Sequence, residues 1–127
     1  MKLILNNSQR AYLLEVFKAS ENNAINGRDA ELAKAFSDLY NKISPTNVAY
    51  YNLNRGEAET IVEFCDAVSN SLTKAINFLN KDTERPKEEV EDLLDRAEKA
   101  KAEIEQVSED LRLKIKANPV KDELNEF

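Results

Sequence analysis

The spacing of apolar positions along the chain predicts four helices. Tyr12/Val16 and Leu13/Phe17 each stand four apart and share a face, with Leu14 beside them, which predicts a helix over about 7–20. The polar run Glu21-Asn22-Asn23, followed by Asn26-Gly27, is expected to end it. Leu32, Phe36, Leu39, Tyr40 and Ile43 make one stripe, predicting a second helix over about 28–43. Pro45 stops this helix, because its ring disfavours helical backbone at Ser44. The third is the clearest, over about 55–79. Asn54 is a good N-cap and Glu57, three residues on, can return the bond as a capping box. Ala58, Ile61, Val62, Cys65, Val68, Leu72, Ala75, Ile76 and Leu79 then keep a 3.6-residue period. After a loop over 80–85, Pro86 suits the first position of a fourth helix running to about 117, where Asn118-Pro119 ends it.

The first and third helices open alike, on Leu5-Asn6-Asn7-Ser8-Gln9 and Leu53-Asn54-Arg55-Gly56-Glu57. A repeated helix pair would explain this, but capping chemistry has few solutions and recurs without common origin. Each opening follows a short apolar stretch, Leu3-Ile4-Leu5 and Val48-Ala49-Tyr50-Tyr51. These stretches are expected to staple the helix starts rather than to pair as strands, because an isolated two-stranded ribbon is weak.

The fourth helix is the informative element. About 32 residues at roughly 1.5 Å each make a rod of about 48 Å. Val90, Ala97, Ile104 and Leu111 recur every seven residues, with Leu93, Ala100 and Val107 between them. Such a two-in-seven stripe is a coiled-coil seam, whereas a helix lying on a globular core usually shows three in seven. Ala97 and Ala100 keep the middle of the seam small enough for another helix to come close. The remaining faces are charged, with Glu88, Glu91, Asp92, Asp95, Glu98 and Glu105 forming an acidic surface among Arg96, Lys99 and Lys101. Two packings satisfy this pattern. The helix can fold back on the third helix as the last arm of an antiparallel bundle, or it can pair with its own copy or another protein's helix.

The expected class is therefore all-α: a small four-helix assembly of two helical hairpins with a long, coiled-coil-like C-terminal helix. By organisation, 1–81 is expected to be a compact helical body, 82–118 the long amphipathic helix and 119–127 a tail that either dangles or docks through Leu124 and Phe127. Composition supports the class. Two Gly and three Pro in 127 residues are too few for the tight turns of an all-β fold, and a chain of this length builds one domain.

Charge and chemistry narrow the function. The net charge is −6, with a balance of −1 over 1–80 and −5 over 81–127. No basic face is visible, which argues against direct nucleic-acid binding and against an anionic membrane surface. One cysteine cannot make an internal disulfide, and the opening MKLILNNSQR has too short an apolar run for a secretory signal, so a cytoplasmic location is expected. With no histidine, the commonest general base and zinc ligand is missing. Cys65 lies on the apolar stripe of the third helix and reads as a core thiol. Gly27 and Gly56 are isolated, so no glycine-rich phosphate cradle exists. Glu63-x-x-Asp66 and Glu88-x-x-Glu91 have a spacing similar to the motifs with which all-α nucleotide pyrophosphohydrolases hold magnesium, but in reversed order. A solvated acidic face explains them better. No catalytic residue, cofactor or metal is expected.

What remains is a non-enzymatic protein-binding module, associating with itself or a partner helix through Val90, Leu93, Ala97, Ala100, Ile104, Val107 and Leu111. The loop aromatics Tyr50 and Tyr51 are further candidate anchors. The alternative is a small acidic inhibitor, of phage or mobile-element anti-defence type, that blocks another protein's nucleic-acid channel by charge mimicry. A magnesium-dependent nucleotide hydrolase is the remote third.

Overall fold

The computed structural model describes residues 1–117, which are almost wholly helical: β1 (Lys2–Leu3), α1 (Asn7–Asn26), α2 (Ala30–Ile43), β2 (Tyr51–Asn52), α3 (Arg55–Asn80) and α4 (Lys87–Ala117). The all-α architecture with a long last helix is as the periodicity predicts. The expectations for the tail, 119–127, lie outside the described residues. Among the described residues no helix is long and apolar enough to cross a membrane. The chain forms two compact units, Met1–Glu57 and from Ala58 onward, so most of α3 belongs with α4. The pairing of α3 with α4 is the second of the two hairpins expected from the sequence.

Both predicted capping boxes form. In the first, Gln9 N–H donates to Asn6 Oδ1 at 2.7 Å and Asn6 N–H donates to Gln9 Oε1 at 3.0 Å. In the second, Glu57 N–H donates to Asn54 Oδ1 at 2.8 Å and Asn54 N–H to Glu57 Oε1 at 3.0 Å. Each box satisfies donors that a helix start leaves orphaned.

In the first unit α1 and α2 make a hairpin, with Leu13, Phe17, Leu39 and Ile43 buried and the Phe17 and Phe36 rings 6.3 Å apart. Arg10 Nη1 donates to the Ser44 carbonyl at 3.1 Å, supplying a partner at the end of α2. The two apolar leads do pair, contrary to the staple expectation: Lys2 lies opposite Asn52 and Leu3 opposite Tyr51, antiparallel. Met1 and Leu53 extend the ribbon, the Met1 amino group donating to Leu53 O at 2.6 Å and Leu53 N–H donating to Met1 O at 2.7 Å. A lone ribbon is weak in water, but here Leu3, Tyr51 and Leu53 are all buried, so tertiary packing supplies what pairing alone does not.

The end of α1 differs from expectation in an instructive way. The helix runs through Glu21-Asn22-Asn23 to Asn26, because Asn costs a helix only tenths of a kcal/mol and Ala24 is buried just beyond. Asp29 N–H then donates to Ala24 O at 2.9 Å and Arg28 N–H to Ile25 O at 3.0 Å, the paired bonds of a Schellman stop. That motif needs a left-handed residue one place after Gly27. Gly27 has an ordinary φ of −80°, and Arg28 takes the positive φ of 59°. Asp29, not Arg28, opens α2, accepting from Leu32 N–H at 3.0 Å.

The two neighbouring positions should therefore respond in ways their identities disguise. Arg28→Gly relieves a left-handed side chain and is expected to stabilise by about 1 kcal/mol. Gly27→Ala also stabilises, by about 0.5 kcal/mol, since an added Cβ would meet only ordinary contact with Asn23 O at 3.4 Å. Thermal melts of both variants check this; a loss of stability in Gly27→Ala would show that Gly27 does need its freedom.

Candidate functional site

The second unit is a hairpin of α3 against α4. Three side-chain links fix it: Ser108 Oγ donates to Asp66 Oδ1 at 2.8 Å, Arg112 Nη2 pairs with Asp66 Oδ2, and Ser69 Oγ donates to Glu105 Oε1 at 2.9 Å. Residues rise on α3 as they fall on α4, so the helices are antiparallel. Ser108 is buried, and its hydroxyl would be an orphan without Asp66. Nothing in the sequence singled out this clasp. Its only signal is a serine and an arginine four apart, beside the seam of α4, and an aspartate next to the seam of α3.

The clasp divides the predicted partner-binding stripe in two. Ile104, Val107 and Leu111, beside it, are already buried within the chain and offer no surface. Val90, Leu93, Ala97 and Ala100, toward the start of α4, remain half-buried, as does Leu94. The physical reason is that a heptad marks which side of a helix is apolar and not how far a neighbouring helix covers it. Tyr51 is likewise no surface anchor: its ring is buried and its hydroxyl donates to Pro45 O at 2.6 Å. Tyr50 alone of the two is presented, 39% exposed, with Lys2 Nζ 4.6 Å from its ring centroid.

The acidic surface is largely answered from within its own helix. Glu91 pairs with Lys87 at 4.0 Å, Asp92 with Arg96 at 3.1 Å, Asp95 with Lys99 at 2.9 Å and Glu105 with Lys101 at 3.6 Å. Glu88 and Glu98 form no ion pair among the described residues. Such i,i+4 pairs on exposed faces support the helix by tenths of a kcal/mol each.

The remaining candidates for chemistry are occupied structurally. Of the reversed carboxylate motifs, Asp66 is held by Arg112 and Ser108. Among the described residues no three His, Cys, Asp or Glu side chains gather where they could hold a metal ion. An open groove beside the clasp is lined by Asp66, Ser69, Glu105, Ser108, Glu109 and Arg112. Asp66 and Arg112 are spent on one another, and Glu105 pairs with Lys101 outside the groove. Cys65 is fully buried, and burial, reinforced by the neighbouring Asp66 charge, pushes its thiol up to about 12.

No known protein family, curated protein or solved structure matches this chain.

Two measurements follow from this arrangement. Asp66→Ala leaves the Ser108 hydroxyl buried without its acceptor and should cost about 1–3 kcal/mol in denaturant unfolding. Arg112→Ala, which removes only a solvent-exposed charge, should cost less than about 1 kcal/mol. Equal losses would mean that the ion pair and not the buried hydroxyl matters. The thiol makes a pH prediction. A folded-state value above the ordinary 9.0 means that the native state holds the proton more tightly. Its contribution is complete below pH 9 and drains away as pH rises toward about 12, at up to about 1.4 kcal/mol per pH unit. Stability curves of the native chain and Cys65→Ala should converge in shape below pH 9 and diverge above it. In the folded chain, Cys65 should also resist thiol-directed alkylation at pH 8.

Proposed function

We propose that this chain is a non-enzymatic protein-binding module that associates through the N-terminal half of α4. The observation that carries this reading is the half-covered stripe of Val90, Leu93, Ala97 and Ala100, which recurs at seam spacing along a helix held rigid at its other end. A seam is apolar surface matched in shape to another helix, and one helical neighbour covers only part of it. Flanking charges on α4 keep the chain soluble and restrict which helix can approach.

The rival readings draw less support. A phosphate mimic works by presenting uncompensated negative charge to a basic channel, and four of the six acidic positions carry a basic neighbour on the same helix. A magnesium hydrolase would need carboxylates free to converge on the ion, and Asp66 is committed to the clasp.

Leu93→Glu places a charge in the half-covered stripe without touching the clasp. It should leave helicity by circular dichroism nearly unchanged while abolishing association, measured by light scattering of the chain and by affinity capture from cells. Identical mass and identical captured proteins for the native chain and Leu93→Glu would remove the proposal.

A further inference from the structure

We propose that the α3–α4 hairpin opens in two steps: the half nearest the connecting turn, about 70–80 of α3 and 87–100 of α4, comes apart while the clasp end stays folded. This opening needs no partner, and it occurs whether or not the stripe on α4 has one.

Burial is divided unevenly along the hairpin. At the clasp end Ile61, Cys65, Ile104, Val107 and Leu111 are each at most 2% exposed. Toward the turn, no side chain from Asp66 to Phe78 on α3 or from Lys87 to Glu103 on α4 is buried, and between those stretches only Leu79 is. The register set by Ser108–Asp66 and Ser69–Glu105 brings Ala97 and Ala100 level with about 74–77 of α3. Alanine takes little apolar area out of water, so this stretch of seam contributes much less than Ile104, Val107 and Leu111 do.

The polar links are grouped in the same way. Those that cross from α3 to α4 join Asp66 to Ser108 and Arg112, and Ser69 to Glu105. Nearer the turn the ties stay local. Lys87–Glu91, Asp92–Arg96 and Asp95–Lys99 lie within α4. In the turn itself Asp82 Oδ1 accepts from the Glu84 and Arg85 N–H groups at 2.9 and 3.3 Å. Bonds between residues two to four apart support a turn or a helix but do not hold one helix to another. Where few buried contacts oppose separation, a segment opens without waiting for the whole molecule to unfold. Opening here uncovers Leu72 and Ile76 of α3 together with Val90 and Leu93 of α4, all half-buried while the hairpin is closed.

Native-state hydrogen exchange read by mass spectrometry separates the two steps. Amides of 72–79 and 91–100 should be protected about tenfold to a hundredfold less than those of 61–65 and 107–111, the difference that one further buried side chain makes. Denaturant below the unfolding midpoint should hardly change exchange in the first group and should speed it in the second, because the smaller opening exposes less surface. Val107→Ala distinguishes two openings from one. It weakens the clasp end in the closed and the half-open forms alike. Protection at 61–65 and 107–111 should therefore fall about tenfold while that at 72–79 and 91–100 stays unchanged. Equal protection along the hairpin of the native chain would overturn the inference, as would Val107→Ala lowering both groups by the same factor.

Discussion

The register of the second unit rests on the carboxylate of Asp66. A seam that repeats every seven residues has a weakness: sliding one helix past the other by one heptad still brings apolar residues together. Asp66 removes that freedom. In the observed register it meets a buried serine hydroxyl and an arginine. A slip of seven in one direction would bring Lys101 and Glu105 to those places, setting Glu105 against Asp66. A slip in the other direction would bring Ile115 to the place of Ser108, with no donor to give. Single polar contacts inside apolar seams commonly act this way, costing some stability and settling the alignment.

Fixing the register also fixes what stays uncovered. The clasp lies toward the C-terminal end of α4, where Ile104, Val107 and Leu111 are buried. The other half of α4 has less tertiary cover and is held as a helix by local means. Glu88 and Glu89 sit in its first turn, where the helix dipole favours negative charge. Asp92–Arg96 and Asp95–Lys99 run in the favourable order, with the acid toward the N-terminus. The same pairs that let this half stand with a thin apolar stripe also cancel much of the charge that gives the segment its acidic composition.

Legibility followed the range of the physics. The capping boxes were readable because they need two side chains at a fixed short spacing, Asn6/Gln9 and Asn54/Glu57, and nothing from the rest of the chain. The α1 stop was half readable. Asn26-Gly27 marks the place, but the bonding pattern, set by how Ala24 and Ile25 carbonyls are satisfied, hands the left-handed position to Arg28. The ribbon was misjudged, because its stability comes from burial of Leu3, Tyr51 and Leu53, which is invisible in strands of two residues. The stripe on α4 was legible as a stripe. Its division into covered and half-covered halves was not, since that depends on Asp66 reaching Ser108 across 42 positions of sequence.

The half-covered stripe differs in kind from the more exposed apolar residues elsewhere. Ile4, Phe78 and Leu113 are each more than 60% open to solvent, far more than any residue of the stripe. Yet single exposed apolar side chains are ordinary on protein surfaces and carry no geometry for a partner. At helical spacing Phe78 has Lys74 four before it, and Leu113 has Asp110 three before and Lys116 three after, so neither continues along its helix as an apolar row. Val90, Leu93, Ala97 and Ala100 expose less each but repeat at the spacing of a helix surface, and repetition is what another helix can read. Recurrence, more than the exposure of any one residue, separates a docking face from incidental greasiness, and among the described residues α4 has the heptad row that is only half covered.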